Sequence, residues 1–589
     1  LEKKLSLSKI KMEEQIKTKK NKSSLTVSVV LAVVAVVLIN ILVSQTRAGL
    51  DLTQEKRFTL TQPTLNLVKN LKDEVFVTVL LDGNFPSSFK RLQNATTQLL
   101  NDLHRLNPNV DFKLENPDIT GTTEERQKKM KDYAEEGLTP TRLRLVDNDQ
   151  KTEQYIFPYA IVRYRNRQTN VKLLENEVPG QNPEIVLNNS VSLLEYKFSN
   201  AIEKLLNNRR PNIFFSRGHG ELDKTETADL EHSLAPFYNV GFFNLDSVIE
   251  IPFRDTAKID IVIVAKPQTA FSEKEKFLID QYVMQGGKII WLIDKLDVDL
   301  AAMQKTGKYV PVERQLNLDD LLFKYGFRIQ PNLILDLECA RIPMRVGAIG
   351  TQPQLELFPW YYYPIMSPSS EHPIVKSLDR VWLQFPSSLD TVKTKVATKK
   401  TILLASSSKS RLQYVPTELN FEFLRYPVEP EKFNKGTQAV AAIAEGNFSS
   451  LFAGRVSAEQ MGVLQKLGLN YLEESKPTKM IVVSDGDIAR NEYDTRKNAL
   501  LPLGYNRFEN YKFANKDFLL NSVEYLLDQN GIIEARSKEI KLRLLDTTKA
   551  KAEISFWRAL NIGLPLVLLL IAGFATYYFR RKKYELNKI

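Results

Sequence analysis

The sequence predicts an α/β ectodomain tethered by a membrane helix at each end, and three observations carry that expectation. Two charge-free apolar runs of about bilayer length lie near the ends of the 589-residue chain. Between them, short continuous apolar runs stopped by Gly, Pro or Asp alternate with amphipathic helical stretches, the pattern of a sheet covered on both faces. The net charge of +11 is concentrated at the ends: residues 1–22 hold eight lysines against three glutamates, and residues 580–589 hold five basic residues against one glutamate. The middle is therefore nearly neutral, which removes the usual electrostatic basis for binding nucleic acid.

The first apolar run, Leu25–Val43, has 19 residues without a charge, and at 1.5 Å per residue it nearly crosses a hydrocarbon core of about 30 Å. A cleaved signal peptide normally has a shorter apolar region and a small-residue cleavage site, and "SQTRAGL" supplies a poor one. The second run, Ala559–Phe579, is framed by Trp557 and by Tyr577 and Tyr578, as interfacial belts are. Basic residues precede the first run and follow the second, so the positive-inside rule puts both termini in the cytoplasm. The organisation expected is a basic tail (1–24), a transmembrane helix (25–44), an N-terminal α/β domain (45–208), a larger α/β domain with a parallel sheet (209–532), a juxtamembrane segment (533–557), a second transmembrane helix (558–579) and a basic tail (580–589). Leu1 is not a natural start, and Met12 is the expected one.

In the smaller domain, Thr59 or Thr61 is placed to cap a helix, 75–82 reads as a buried strand, 87–106 as a helix and 110–117 as an alternating strand. A hairpin turning at 166–169 and a helix over 190–206 complete it, and the polar "NNRRPN" marks the boundary. In the larger domain, "NIFFSRGHGE" runs from a strand into a glycine-rich turn, and "KIDIVIVAKP" is a buried strand ended by Pro267. "SEKEKFLIDQYVMQGGKIIWLID" opens on Ser272 with Glu275 three residues on, a capping box, and its helix ends at Gly286 and Gly287 before the next strand. A helix and strand follow in 318–336, with further strands at 401–405, 439–444 and 480–484.

Ligands of open parallel sheets bind beyond the carboxyl ends of the strands. Five polar clusters fall there: "SRGHGE" after Phe215, "KP" after Ala265, Asp294 after Ile293, "SSSKS" after Ala405 and "DGD" after Ser484. Arg217, His219, Glu221, Asp294, Asp485 and Asp487 are accordingly the candidate ligand or partner contacts. His219 and Glu221 have the chemistry of an acid–base pair or of metal ligands, yet the chain has four histidines and no HExxH or CxxC to complete a site. Gly218 and Gly220 suit a sharp turn. Asp485 and Asp487 could hold a divalent cation, although such pairs are more often a solvated turn. Cys339 is a single thiol with no histidine beside it in sequence. No Walker or GxGxxG spacing is present, and no cofactor, metal or catalytic residue is expected.

"DLTQEKRFTLT" after the first anchor, "FFSRGHGE", "VIVAKP", "QYVMQGGKIIWLID", "EHPIVKSLD", "VVSDGDIARN" and "RSKEIKLRLLD" before the last helix together resemble the gliding-motility ABC-transporter auxiliary (GldG) family of Bacteroidetes. The resemblance implies a middle domain of non-catalytic glutamine-amidotransferase-like fold, a two-pass protein of the bacterial inner membrane with its large domain in the periplasm, and two partners: an ABC permease subunit and a cytoplasmic ATPase subunit. Nothing around Cys339 reproduces the nucleophile turn of the amidotransferases, so the resemblance carries over a scaffold without its chemistry. A membrane-anchored hydrolase using the His219/Glu221 region, or a purely structural envelope protein, are the alternatives.

Overall fold

The structure, a computed structural model, describes residues 59–537 and 551–585, apart from 84, 118–121, 148–149, 176–182, 208, 254–256, 350–351, 467–468 and 495–497, together with Leu31, Val34, Ala35, Val37 and Leu38. Contacts divide the chain into two compact units, Leu1–Leu60 and Thr61–Ile589. The five described positions of the first predicted span are helical; the rest of that span, the basic tail of 1–24 and residues 538–550 of the juxtamembrane segment lie outside the described residues.

Helix α1 (Gln62–Lys69) starts at Thr61 as expected, but the Thr61 hydroxyl donates to Glu195 Oε1 at 2.8 Å instead of capping the helix. Strand β1 (Val75–Val79), helix α2 (Ser87–Leu106) and strand β2 (Val110–Leu114) form a parallel crossover, with Val75 opposite Val110. Strands β3 (Tyr159–Tyr164) and β4 (Arg167–Lys172) add an antiparallel hairpin, giving a four-stranded sheet in the order β2-β1-β3-β4. The hairpin turns at Arg165 and Asn166, earlier than the sequence indicates, with Arg165 in the left-handed region at φ 50°. Helix α3 (Pro183–Leu206) covers this sheet and also reaches the last part of the chain: Tyr196 shares a buried cluster with Ile532, Ile533 and Ala535.

The main sheet has ten strands. Its first half comprises β5 (Asn212–Arg217), β6 (Asn239–Asn244), β7 (Ile261–Ala265), β8 (Lys288–Leu292), the hairpin β9 (Cys339–Ile349) and β10 (Gln352–Pro368). It is completed by β11 (Thr398–Ala405), β12 (Ala439–Gly446), β13 (Thr478–Val483) and the two-residue strand Val381–Trp382, which pairs with β10. Five strands in the order β6-β5-β7-β8-β13 are parallel. Beyond β13, strands β12, β11, β10 and β9 are each antiparallel to their neighbours.

The sheet is thus mixed, and the expectation of a parallel sheet holds for one half only. An apolar run buried on both faces looks the same whether its neighbours run parallel or antiparallel. What differs is the connection. Residues between β11 and β12 form the strand Ser410–Tyr414 and short 3-10 turns, with no covering α-helix. Likewise Phe327–Ile329 and Asn332–Asp336, expected to follow their helix into the sheet, pair instead with Leu389–Thr391 and Ser410–Tyr414 outside it.

Alternate side chains of each central strand feed two cores. Ile261 and Ile263 of β7 and Ile290 of β8 pack with Phe518 and Val523 of helix α5 (Asn515–Leu527) on one face. Val262, Val264 and Trp291 pack with Ile279, Tyr282 and Val283 of helix α4 (Glu273–Met284) on the other. Ser272 and Glu275 form the expected capping box at the start of α4. The last described helix is α6 (Ile554–Glu585), within whose stretch Ile554–Phe579 an 18-residue window reaches mean hydropathy 2.1 with no part buried. It is the one helix among the described residues long and apolar enough to cross a membrane.

Candidate functional site

Numbered along the chain from β5 to β8 and then β13, the five parallel strands lie in the order 2-1-3-4-5, so the winding reverses between β5 and β7. Beyond the carboxyl ends of those two strands a doubly wound sheet ordinarily leaves a crevice for ligand. Here the two loops are joined. The His219 carbonyl accepts hydrogen bonds from the Gln268 and Thr269 amides at 2.6 and 3.1 Å, and the Leu222 amide donates to the Ala265 carbonyl at 3.0 Å. Gly218 and Gly220 take φ of 114° and 71°, a region costly for other residues, so the glycines perform the turn expected of them. A Cβ on Gly220 would also press on the Gln268 side chain at 3.0 Å.

Within the turn Gly218 and Gly220 are exposed and Arg217 is half-buried, while His219 and Glu221, expected as ligand or partner contacts, point inward. His219 is only 4% exposed and its ring stacks on Phe271, centroids 3.8 Å apart. Its Nε2 lies 3.3 Å from Glu275 Oε2 and its Nδ1 lies 3.7 Å from Glu221 Oε1. Burial opposes a charge on this imidazole, but the two glutamates outweigh it and hold the pKa above its usual value. The Glu221 side chain is buried, accepting from Ser216 Oγ at 2.9 Å and from the His219 amide at 2.7 Å. Burial pushes its pKa up, and these partners, His219 foremost, bring it below the usual carboxylate range. Arg217 lies over the Phe242 ring at 4.3 Å and donates to the Leu222 carbonyl.

The next three strand ends do converge. Lys266 after β7, Asp294 after β8, and Asp485 and Asp487 after β13 form one buried group. Lys266 Nζ sits 2.5 Å from Asp487 Oδ2 and 3.2 Å from Asp294 Oδ2. Asp294 Oδ1 accepts the Gly486 amide at 2.5 Å, while Asp485 accepts the Gln384 and Asp487 amides at 2.6 and 2.7 Å. Gly486 is required by closeness: a Cβ there would lie 2.6 Å from that of Lys266. Arg490 completes the group, 3.5 Å from Asp487 and 2.9 Å from Glu226. Burial, then Asp294 and Asp487, push the Asp485 carboxyl well above its usual range, and burial raises Asp294 against the pull of Lys266. Burial disfavours charge on Lys266, but Asp294 and Asp487 override it and keep this amine more basic than a free lysine.

Oxygens of the three aspartates lie within 4.8 Å of one another, a spacing that suits a divalent cation. The ammonium of Lys266 already stands among them, so a metal would have to displace a cation of the protein's own. The fifth cluster goes elsewhere: Ser407 donates its amide and hydroxyl to Asp336 at 2.7 and 2.6 Å. Cys339 is half-buried at the start of β9; burial, then Asp336 and Glu509, push its thiol up to about 12, where the nucleophilic thiolate is scarce. Sequence reading missed the role of Glu275 as partner of His219, since its capping spacing accounted for it already. Lys266 as counter-ion had only its place after a strand to signal it.

A family model described as "ABC-type uncharacterized transport system" matches residues 210–522, the span that holds this whole arrangement. A second model, a domain of unknown function, matches residues 54–163. An uncharacterized protein of Borreliella burgdorferi is 21% identical over 450 residues, covering 76% of this chain and 82% of its own length. Among solved structures, the N-terminal domain of mmIFT52 aligns with 54% of this chain and 96% of its own at 14% identity and a TM-score of 0.30. A putative ThuA-like protein from Parabacteroides merdae aligns with 54% of this chain and 90% of its own at 10% identity and a TM-score of 0.25.

Proposed function

Because the chain belongs to the ABC-type uncharacterized transport system family and so has an accessory role in an ABC transport system, we propose that it is a non-catalytic subunit whose folded domain engages a permease and, across the membrane, a cytoplasmic ATPase. The finer reading is that of the gliding-motility family of Bacteroidetes: a two-pass protein of the inner membrane with residues 45–557 in the periplasm. The middle domain then uses an amidotransferase-like scaffold without its chemistry.

One observation carries the non-catalytic part. The place where a doubly wound sheet takes its ligand is occupied by the protein itself: the loops after β5 and β7 are hydrogen-bonded together, and Lys266 neutralises the carboxylates beside them. A hydrolase using His219 and Glu221 would need solvent or substrate at a ring that is stacked, ion-paired and 4% exposed. What supports the membrane part is α6 and the basic residues Arg580–Lys583 after its apolar stretch.

The test is purification of the full-length chain from its own membranes, with mild cross-linking and identification of what accompanies it. A permease and an ATPase in stoichiometric amounts are expected. Recovery of the chain without either, under conditions that keep other ABC assemblies intact, removes the proposal in favour of a structural envelope protein.

A further inference from the structure

Between the small sheet and the main one lies a cavity of about 400 Å³, lined from both sides: Lys172 at the end of β4 and α3 on one, Ser377–Asp379, Lys512, α5 and Arg536 on the other. Four cationic side chains (Lys172, Lys197, Lys512, Arg536) face three carboxylates (Glu175, Asp379, Asp517). Two of those carboxylates are engaged: Glu175 by Lys197, and Asp379 by the Tyr511 hydroxyl. The third, Asp517, feels Lys512 first and then Lys172 and Lys516.

Arg536 is held in place. It is 8% exposed, donates from Nη1 to Asn521 Oδ1 at 2.7 Å and stacks over Tyr196 at 5.0 Å, yet its Nε has no partner. The ammonium of Lys512, whose backbone pairs with Tyr505, enters no hydrogen bond or salt bridge among the described residues. Helix α5, 13 residues long, begins at Ala514 with no capping side chain, and Ala514 and Asp517 both line the cavity, so the positive end of a helix dipole opens there. Burial lowers the pKa of Lys172 and Lys512 against the pull of Glu175 on the first and Asp517 on the second, so both ammonium groups stand where water is scarce.

A positive cavity that also presents a carboxylate suits an anion that keeps a proton to donate. Monohydrogen and dihydrogen phosphate, and singly protonated phosphate esters, have both features; sulfate at neutral pH has the oxygens without the O–H. We propose that this cavity is a phosphate-group site, in which Lys172, Lys512 and Arg536 hold the oxyanion and Asp517 accepts a hydrogen bond from its P–OH. The volume exceeds a bare phosphate, so a small phosphate ester fills it better. The site stands on its own geometry and does not depend on the transporter reading.

Isothermal titration calorimetry of the full-length protein in detergent micelles tests it, with inorganic phosphate, glycerol 1-phosphate and sulfate as probes at matched ionic strength. Saturable binding of one phosphate or ester per chain, with sulfate at least about tenfold weaker, is expected, because a charged hydrogen bond is worth about 1.5–3 kcal/mol. Tighter glycerol 1-phosphate identifies an ester ligand, tighter inorganic phosphate a free ion. Lys512→Gln, at a half-buried position, is expected to weaken binding about tenfold or more. Asp517→Asn is expected to abolish the preference over sulfate, and exposed Lys305→Gln to change nothing. Absence of binding by both phosphate probes, equal affinity for sulfate in the unaltered protein, or an unchanged affinity in Lys512→Gln overturns the proposal.

Discussion

Two places in the molecule gather three carboxylates among basic side chains, and they differ in whether the charges meet. At the strand ends, Asp294 and Asp487 contact the Lys266 ammonium at 3.2 and 2.5 Å, while Asp485 beside them is held by the Gln384 and Asp487 amides. In the cavity between the sheets, the Lys512 ammonium and the Nε of Arg536 find no partner among the described residues although Asp517 lines the same space. Groups of one chemistry therefore do opposite things: the first set fastens the ends of β7, β8 and β13, and the second remains available. The sheet rule points to the first place as the ligand site; charge balance points to the second.

The largest test of that contrast is Lys266→Met. It leaves buried aspartates uncompensated, and breaking a buried pair from one side costs about 3–5 kcal/mol. A large drop in melting temperature at pH 7 is expected, shrinking toward acid pH as the carboxyls take up protons. An unchanged melting curve would mean that the cluster is not closed in the way described.

The intermediate effect is at His219, and it has a pH signature. Its folded pKa stands above the ordinary 6.5, so its contribution is complete below that value and is lost as pH rises through the folded one. Glu221 and Glu275 stand below the ordinary 4.5, so theirs is lost only as pH falls through their folded values. The stability gap between the unaltered protein and His219→Gln is expected to be widest between about pH 5 and 6.5, at about 1–2 kcal/mol including the lost stack on Phe271, and to narrow as pH rises through the raised folded value. Thermal melts across pH 5–9 measure it, and a gap that widens with pH contradicts the ion pairing.

The smallest effect is Lys512→Gln without ligand. A charge with no partner among the described residues has little stability to lose, so a change within about 0.5 kcal/mol, toward stabilisation if either way, is expected from melting in phosphate-free buffer. Substantial destabilisation would show that Lys512 is a fastening like Lys266.

Local rules were the most readable. The capping box of Ser272 and Glu275, the buried strand Ile261–Ala265, the left-handed glycines 218 and 220 and the apolar C-terminal helix all follow from residue type and spacing. The convergence of Lys266, Asp294 and Asp487 was half-legible, because polar residues that end parallel strands share one edge of the sheet, while register alone decides which of them touch. The hairpin β9–β10 gave no clear signal: its 17-residue second strand carries Pro353, Pro359 and Pro364, which argue against a strand locally. Lys172 lies hundreds of residues before Lys512 and Arg536, each has an ordinary surface signature, and only the packing of α3 against Ile532, Ile533 and Ala535 brings them to one cavity.

Helix α6 has a mechanical consequence. The charge-free stretch 559–579 contains 21 residues, a rise of about 32 Å, close to a hydrocarbon thickness of about 30 Å. A helix of that length can cross a bilayer with little tilt. Pro565, inside its first half, cannot donate to the carbonyl of Asn561 and crowds it, so the rod has one preferred place to flex. A bend demanded of this helix would fall at that joint, one turn or more inside the end that faces the folded domain.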